Sequence, residues 1–268
     1  MRKLYLIDIE GTIVKDKSYA PIEGAINWIN ALTSSSPPSA GFSTHQFALV
    51  SNNTTHKPEE LLTLLRNLGF NIQPNNLITC MSTALSWLKR KEIKNCLVIG
   101  SPQLKEYLNE NGINTPSDDK AEAVLVGLDS LLNYDKLKIA INALVTNNAS
   151  LLALHTNRLY KDEKGELSPS VGAVVKALEY SSQKRAKVFG KPNPEIFREA
   201  LRRFNSKPEN CIMISDDPLS DLLGAKKLGM KTVFVTSGKY KDKMILKNLN
   251  KRFQPDWIHA SVKEIRIQ

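Results

Sequence analysis

The sequence predicts an α/β protein built on parallel sheets, and three observations carry that prediction. Apolar runs of strand length end in carboxylate, hydroxyl or amide side chains, at residues 4–8, 48–52 and 212–217. Such runs, with little polar interruption, fit strands buried on both faces. Between them lie segments whose apolar residues recur at helical spacing, such as Ile22, Ile26, Trp28, Ile29 and Leu32. The same alternation of β and α patterns then recurs in the middle of the chain, without an internal sequence repeat.

Taken in order, the first run ends at Asp8. A carboxylate at the carboxyl end of a strand sits where open α/β sheets place their ligands. Gly11 permits a sharp turn and Thr12 adds a hydroxyl. Residues 14–19 read as polar loop, and Pro21 can open the helix that runs to residue 32. The Ser/Pro/Gly-rich stretch 34–44 is expected to be an exposed loop. A second strand ends at Ser51 and Asn52, and residues 58–68 form a helix that Gly69 stops.

A second unit is expected from about Met81: a helix through Trp87 and Leu88, strand 96–99, helix 102–111, strand 123–126, helix 134–145 and strand 151–154. Residues 156–170 read as a polar, hairpin-like segment turning at 162–165, with Ser168 as an N-cap for the helix 173–180. The first unit resumes near Lys187. Lys191 lies on a loop framed by Gly190, Pro192 and Pro194, followed by helix 194–204, strand 211–214, helix 219–228 and strand 232–235. The basic stretch 240–253 is expected to be loosely ordered, and residues 255–258 to form a last short strand.

A chain of 268 residues can bury a core without disulfide staples. Cys80, Cys96 and Cys211 show no CxxC spacing and sit in apolar segments, so they read as reduced core thiols of a cytoplasmic protein. No apolar run is long enough to span a bilayer, and no membrane partner is expected. The net charge of +10 is scattered over basic residues such as Lys89, Arg90, Arg202 and Arg203. It reads as solvated faces, and a nucleic-acid role is not expected.

Four ordered stretches carry the chemistry: Asp8-Ile9-Glu10-Gly11-Thr12, Ser51-Asn52, Gly190-Lys191-Pro192, and Ser215-Asp216-Asp217 with Asp221. In this order the chain resembles the haloacid dehalogenase (HAD) superfamily, most closely its NagD-like phosphatase branch. The resemblance implies a Rossmann-like core with a parallel sheet and an inserted α/β cap, divided as 1–80 core, 81–185 cap and 186–268 core. It implies a phosphatase acting on a small phosphorylated metabolite through an aspartyl-phosphate on Asp8. Glu10 would be the acid and base. Thr12, Ser51, Asn52 and Lys191 would bind phosphate. Mg²⁺ would be held by Asp8, Asp216 and the main-chain carbonyl of Glu10. Asp217 and Asp221 would orient a metal water or Lys191, and Asp217 takes the ligand position if the loop register differs. Both acids also suit a helix N-cap, which is compatible with metal binding. In the cap, Asn157, Arg158 and Tyr160 would help to select substrate. Caps of this type often mediate homodimers in the family, and the sequence leaves the oligomeric state open.

The chain departs from that pattern at Glu10, where active phosphatases usually carry Asp, and at Ser215, where the pattern has Gly. An extra methylene misplaces a catalytic carboxyl, and about 1 Å of misplacement can cost ~100-fold in rate. Slow turnover is therefore expected, and a weakened, HAD-fold binding or regulatory protein is the alternative.

Overall fold

The computed structural model describes residues 3–15, 18–33, 46–161 and 164–267; the loop expected at 34–44 and the centre of the turn, 162–163, lie outside them. The strands are β1 (Leu4–Asp8), β2 (Gln46–Ser51), β3 (Leu77–Thr79), β4 (Cys96–Ile99), β5 (Ala123–Val126), β6 (Ser150–Ala153), β7 (Leu159–Lys161), β8 (Leu167–Pro169), β9 (Lys187–Val188), β10 (Cys211–Ser215), β11 (Lys231–Val235) and β12 (Trp257–His259). The helices are α1 (Ala25–Thr33), α2 (Pro58–Asn67), α3 (Cys80–Arg90), α4 (Pro102–Glu110), α5 (Tyr134–Val145), α6 (Val171–Ser182), α7 (Pro194–Arg203) and α8 (Leu223–Lys227).

Two compact units divide the chain. The first takes the described residues of Met1–Ser51, Pro58–Ile78 and Lys191–Gln268. Its sheet has the order β12-β11-β10-β1-β2-β3, and β1 pairs in parallel with both β10 and β2. The chain leaves β1 towards β2 on one side and returns to β10 on the other. The adjacent strand ends of β1 and β10 therefore form a topological switch point, the place where such sheets open a crevice. Alternation along β1 feeds two cores: Tyr5 and Ile7 pack with Trp28, Ile29 and Leu65, while Leu4 and Leu6 pack with Phe197, Met213 and Phe234. Each large apolar side chain so buried stabilises the fold by roughly 1.5–3 kcal/mol.

The second unit takes Asn52–Lys57 and Thr79–Gly190. Its sheet, β4-β5-β6-β9, is parallel throughout. One apolar cluster gathers Leu85, Leu88, Val98 and Leu125, and a second gathers Leu97, Val124, Leu144 and Val175. The strands β7 and β8 form a separate antiparallel hairpin. Among the described residues no helix is long and apolar enough to cross a membrane. Cys80, Cys96 and Cys211 are all buried, and none is in a disulfide.

Several expectations are corrected. The helix expected from Pro21 starts at Ala25, because Pro21 bridges to Val14 and Gly24 turns with φ +78°. Ser168 lies in β8, and Ser170 stands at the helix N-cap instead. The helix expected over 219–228 divides into a π-helical turn, Pro218–Leu222, and α8. The basic stretch 240–253 is built rather than loose: Leu246 is buried, and Tyr240, Ile245 and Leu249 pack on the core beneath it. The strands β3 and β9 are too short for a periodicity to show. Since β9 pairs with β6, the second unit runs to Gly190 rather than 185, and at its start it claims residues 52–57 and 79–80.

Candidate active site

The residues that gather at the β1/β10 switch point all belong to the first unit. Ile7 lies level with Ile214 and with Leu49, and Asp8 with Val50. Asp8, Ser51 and Ser215 therefore leave the sheet side by side, and all three are buried. After Asp8 the backbone makes one tight turn, in which the N–H groups of Thr12, Ile13 and Val14 converge on the Ile9 carbonyl. Gly11 takes φ +82° there, a region costly for any residue with a Cβ.

Lys191 is the central cation. It is buried, it donates to the Asp8 carboxylate, and it donates to Asp221 at 2.7 Å. Its loop is held close because Gly224 has no side chain: a Cβ there would lie 2.5 Å from the Pro192 carbonyl. Asp221 stands on the π-helical turn and also accepts from the Ser215 hydroxyl at 2.9 Å. The Ser215 oxygen in turn accepts from the Asp217 N–H at 3.1 Å. The hydroxyl that departs from the family pattern is thus used, bracing the turn that carries Asp221. Single π-helical turns of this kind are frequent at functional sites.

Asp216 has other hydrogen-bond partners. Its Oδ2 accepts from the Lys239 N–H and lies against two glycines; a Cβ on Gly11 or Gly238 would come within 2.1 Å or 1.9 Å of that oxygen. Asp217 caps the turn, accepting from Leu219 and Ser220 N–H, and pairs with Lys239 at 2.8 Å. So Asp221, and not Asp217, meets Lys191. Glu10 is half-buried; Tyr19 donates to one of its oxygens and Ser51 to the other, each at 3.2 Å. Thr12 faces Asp8 at a long 3.5 Å.

The electrostatics follow from crowding. Burial pushes Asp8 well above the usual carboxylate range; Lys191 opposes this, while the charges of Asp221, Asp216 and Glu10 add to it. Burial, opposed by the Lys239 N–H, pushes Asp216 up to about 6. Lys191 loses from burial but gains more from Asp221 and Asp8, and its pKa is raised. An oxygen-only set with several acids around one lysine fits a hard divalent cation, which would relieve the repulsion. Among the described residues no three His, Cys, Asp or Glu side chains are grouped to hold a metal by themselves. The set expected from the sequence is two carboxylates and one main-chain oxygen.

Other expected residues lie in the second unit. Asn52 lies there beside Gly190, whose Cβ would meet the Asn52 oxygen at 2.5 Å. The carbonyls of Asn157 and Arg158 accept from Gly172 and Ser170, their side chains are exposed, and Tyr160 pairs with Ser168 across the hairpin. Tyr19, Gly238 and Lys239 escaped the sequence reading. The only signal was Gly238 placed just beyond an apolar strand.

A buried carboxylate, a buried lysine and further acids at one sheet edge are the residue types that phosphoryl-transfer hydrolases use. Comparison with known proteins agrees. A family model described as haloacid dehalogenase-like hydrolase matches residues 5–114, and a second, described as HAD-hydrolase-like, matches 188–265. Haloacid dehalogenase-like hydrolase domain-containing protein 2 of Homo sapiens is 33% identical over 241 residues, 89% of this chain and 86% of its own length. A p-nitrophenyl phosphatase from Archaeoglobus fulgidus matches with a TM-score of 0.84 at 26% identity, covering 98% of this chain and 97% of its own. NagD from E. coli K-12 shares the fold, with a TM-score of 0.82 at 23% identity over 99% of each chain. The chain belongs to the haloacid dehalogenase-like hydrolases, and its relatives support a phosphatase.

Proposed function

We propose that this phosphatase is Mg²⁺-dependent and hydrolyses a small phosphorylated metabolite through an aspartyl-phosphate on Asp8. The observation that carries the reading is the buried Lys191 bridging Asp8 and Asp221 beside Asp216. A Asp8 oxygen attacks phosphorus while the bond to the leaving oxygen breaks, and Glu10 gives that oxygen its proton. Water then attacks the phosphoryl group, Glu10 takes the water's proton, and the Asp8–phosphorus bond breaks to release inorganic phosphate. Lys191 balances the charge of phosphate and Asp8. Ser51, Thr12 and the following Asn52 bind phosphoryl oxygens. Mg²⁺, held by Asp8, Asp216 and the Glu10 carbonyl, would supply the charge neutralisation that lets a carboxylate approach an anion. Asn157, Arg158 and Tyr160 select among substrates, so Arg158→Ala should reorder a substrate ranking without abolishing turnover.

The test is hydrolysis of p-nitrophenyl phosphate with and without Mg²⁺, then a panel of sugar phosphates, nucleotides, pyrophosphate and phosphoamidates. Activity that appears only with Mg²⁺ is expected. Glu10 favours the second reading, a binding protein with weakened chemistry. Mg²⁺ binding without turnover of any panel member would put that reading first.

A further inference from the structure

The distinctive feature of this site is Glu10, whose side chain has one more rotatable bond than the aspartate it replaces. A carboxylate on a longer stem loses aim unless something fixes both ends of it. Here each oxygen has a donor: the Tyr19 hydroxyl meets Oε1 and the Ser51 hydroxyl meets Oε2, both at 3.2 Å. We propose that Tyr19 is a positioning residue that aims the Glu10 carboxyl at the leaving-group oxygen, so that the longer acid works as a general acid. The proposal rests on the phosphatase reading above.

Four observations favour Tyr19 over Ser51 for this task. Ser51 is the hydroxyl assigned to phosphate, and a hydroxyl has one proton to give. When it turns to a phosphoryl oxygen, Tyr19 still holds Glu10. Tyr19 is also flanked by two backbone hydrogen bonds, Lys15 N–H to the Ala20 carbonyl at 2.8 Å and Ile22 N–H to the Ile13 carbonyl at 2.9 Å. Its ring packs against the same apolar core as Tyr5 and Ile7. Finally, Tyr19 takes φ +52°, a backbone conformation that bulky residues rarely adopt and that persists where the surroundings hold it.

The test compares two esters. Phenyl phosphate expels a phenol with a pKa near 10, much like tyrosine, and needs the acid; p-nitrophenyl phosphate expels a far better leaving group. Tyr19→Phe, which removes only the hydroxyl, should lower kcat on phenyl phosphate about 10-fold, the scale of one hydrogen bond to a charged group. The loss on p-nitrophenyl phosphate should be within about 2-fold, and KM for both should stay within about 2-fold. In a Glu10→Asp background, whose shorter carboxyl retracts from the hydroxyl, Tyr19→Phe should cost neither ester anything. Equal losses on both esters, a loss carried by KM, or the same loss in the Glu10→Asp background would overturn the proposal. A second readout needs no turnover. In protein labelled with ¹³Cζ-tyrosine, the resonance absent from Tyr19→Phe should shift in Glu10→Gln. An unmoved resonance overturns the proposal even in an active enzyme. A moved one beside an inactive wild type overturns the phosphatase reading instead.

Discussion

Two parallel sheets, built by the same alternation of strand and helix, end in opposite ways. In the first unit the strand ends at the switch point carry Asp8, Ser51, Ser215 and Asp216, and the neighbouring turn adds Asp221. In the second unit β4 and β5 run into Gly100 and Gly127. A Cβ on either would lie 2.8 or 2.9 Å from the Leu104 side chain. The corresponding edge there is filled by a leucine from α4, and the buried polar residue that follows β6, His155, is a single imidazole accepting the Asn157 N–H at 3.3 Å. The difference teaches that the architecture offers a crevice and the side chains at strand ends decide whether it holds chemistry.

The comparison breaks hardest at Asp8. Asp8→Asn keeps the shape but cannot attack phosphorus, so kcat should fall on the order of 10³-fold or more while circular dichroism stays unchanged. Retention of more than a few per cent of activity would show that the strand end is not the nucleophile's seat.

Glycine substitutions set the two edges side by side. Gly238→Ala puts a Cβ 1.9 Å from the Asp216 carboxylate and 2.5 Å from the Gly11 backbone, which cannot yield cheaply. It should cost about 100-fold in kcat/KM. Gly127→Ala meets the ends of the Leu104 and Leu154 side chains most closely, with the Gly100 backbone at an ordinary 3.9 Å. It should cost about 1–3 kcal/mol of stability in urea denaturation and leave kcat/KM within about 2-fold. Equal kinetic damage from both would erase the distinction between edges.

Acid titration sharpens the contrast through opposite signs. Asp216 is raised from 3.8 to about 6 by burial, so the folded protein binds the extra proton and stability falls as pH rises from about 4 to about 6. His155 is lowered from 6.5 to about 4 by burial, so the folded protein refuses the proton and stability rises across the same window. Each contribution is at most about 3 kcal/mol. In chelator-treated protein, Asp216→Asn should make stability climb more steeply between pH 4.5 and 6.5 than in the wild type, and His155→Asn should flatten or invert the climb. Parallel slopes in the two variants would contradict the assignment.

The smallest effect belongs to Ser215. Ser215→Gly removes one hydroxyl that donates to Asp221 and accepts from the Asp217 N–H. Stability should drop by about 1 kcal/mol, with kcat within about 3-fold, measured by thermal melts and steady-state rates. A rise in rate would mean that the serine hinders the turn rather than braces it.

Most of the scaffold was legible in the chain. Apolar runs ending in polar side chains marked β1, β2 and β10, and helical spacing marked α2, α5 and α7 to within a residue or so at each end, because each signal is local. The order of motifs was enough to gather Asp8, Lys191, Asp216 and Asp221 into one hypothesis. Which acid meets Lys191 was not legible, because Asp217 and Asp221 flank a π-helical turn whose geometry alone aims Asp221 inward and leaves Asp217 as a cap. The Tyr19 hydroxyl on Glu10 was equally hidden: they stand nine positions apart, and the tight turn at Gly11 and the Val14–Pro21 bridge bring them together. The sequence by itself determined the longer strands, most of the helices and the chemical types placed at their ends, since these rest on periodicity and side-chain chemistry. Partner choice within the charge cluster, the close fit of Asp216 against Gly11 and Gly238, and the short strand that keeps residues 187–190 in the second unit were decided by tertiary structure. Those features depend on atoms from distant segments approaching within hydrogen-bond or van der Waals distance, and no local pattern encodes that approach.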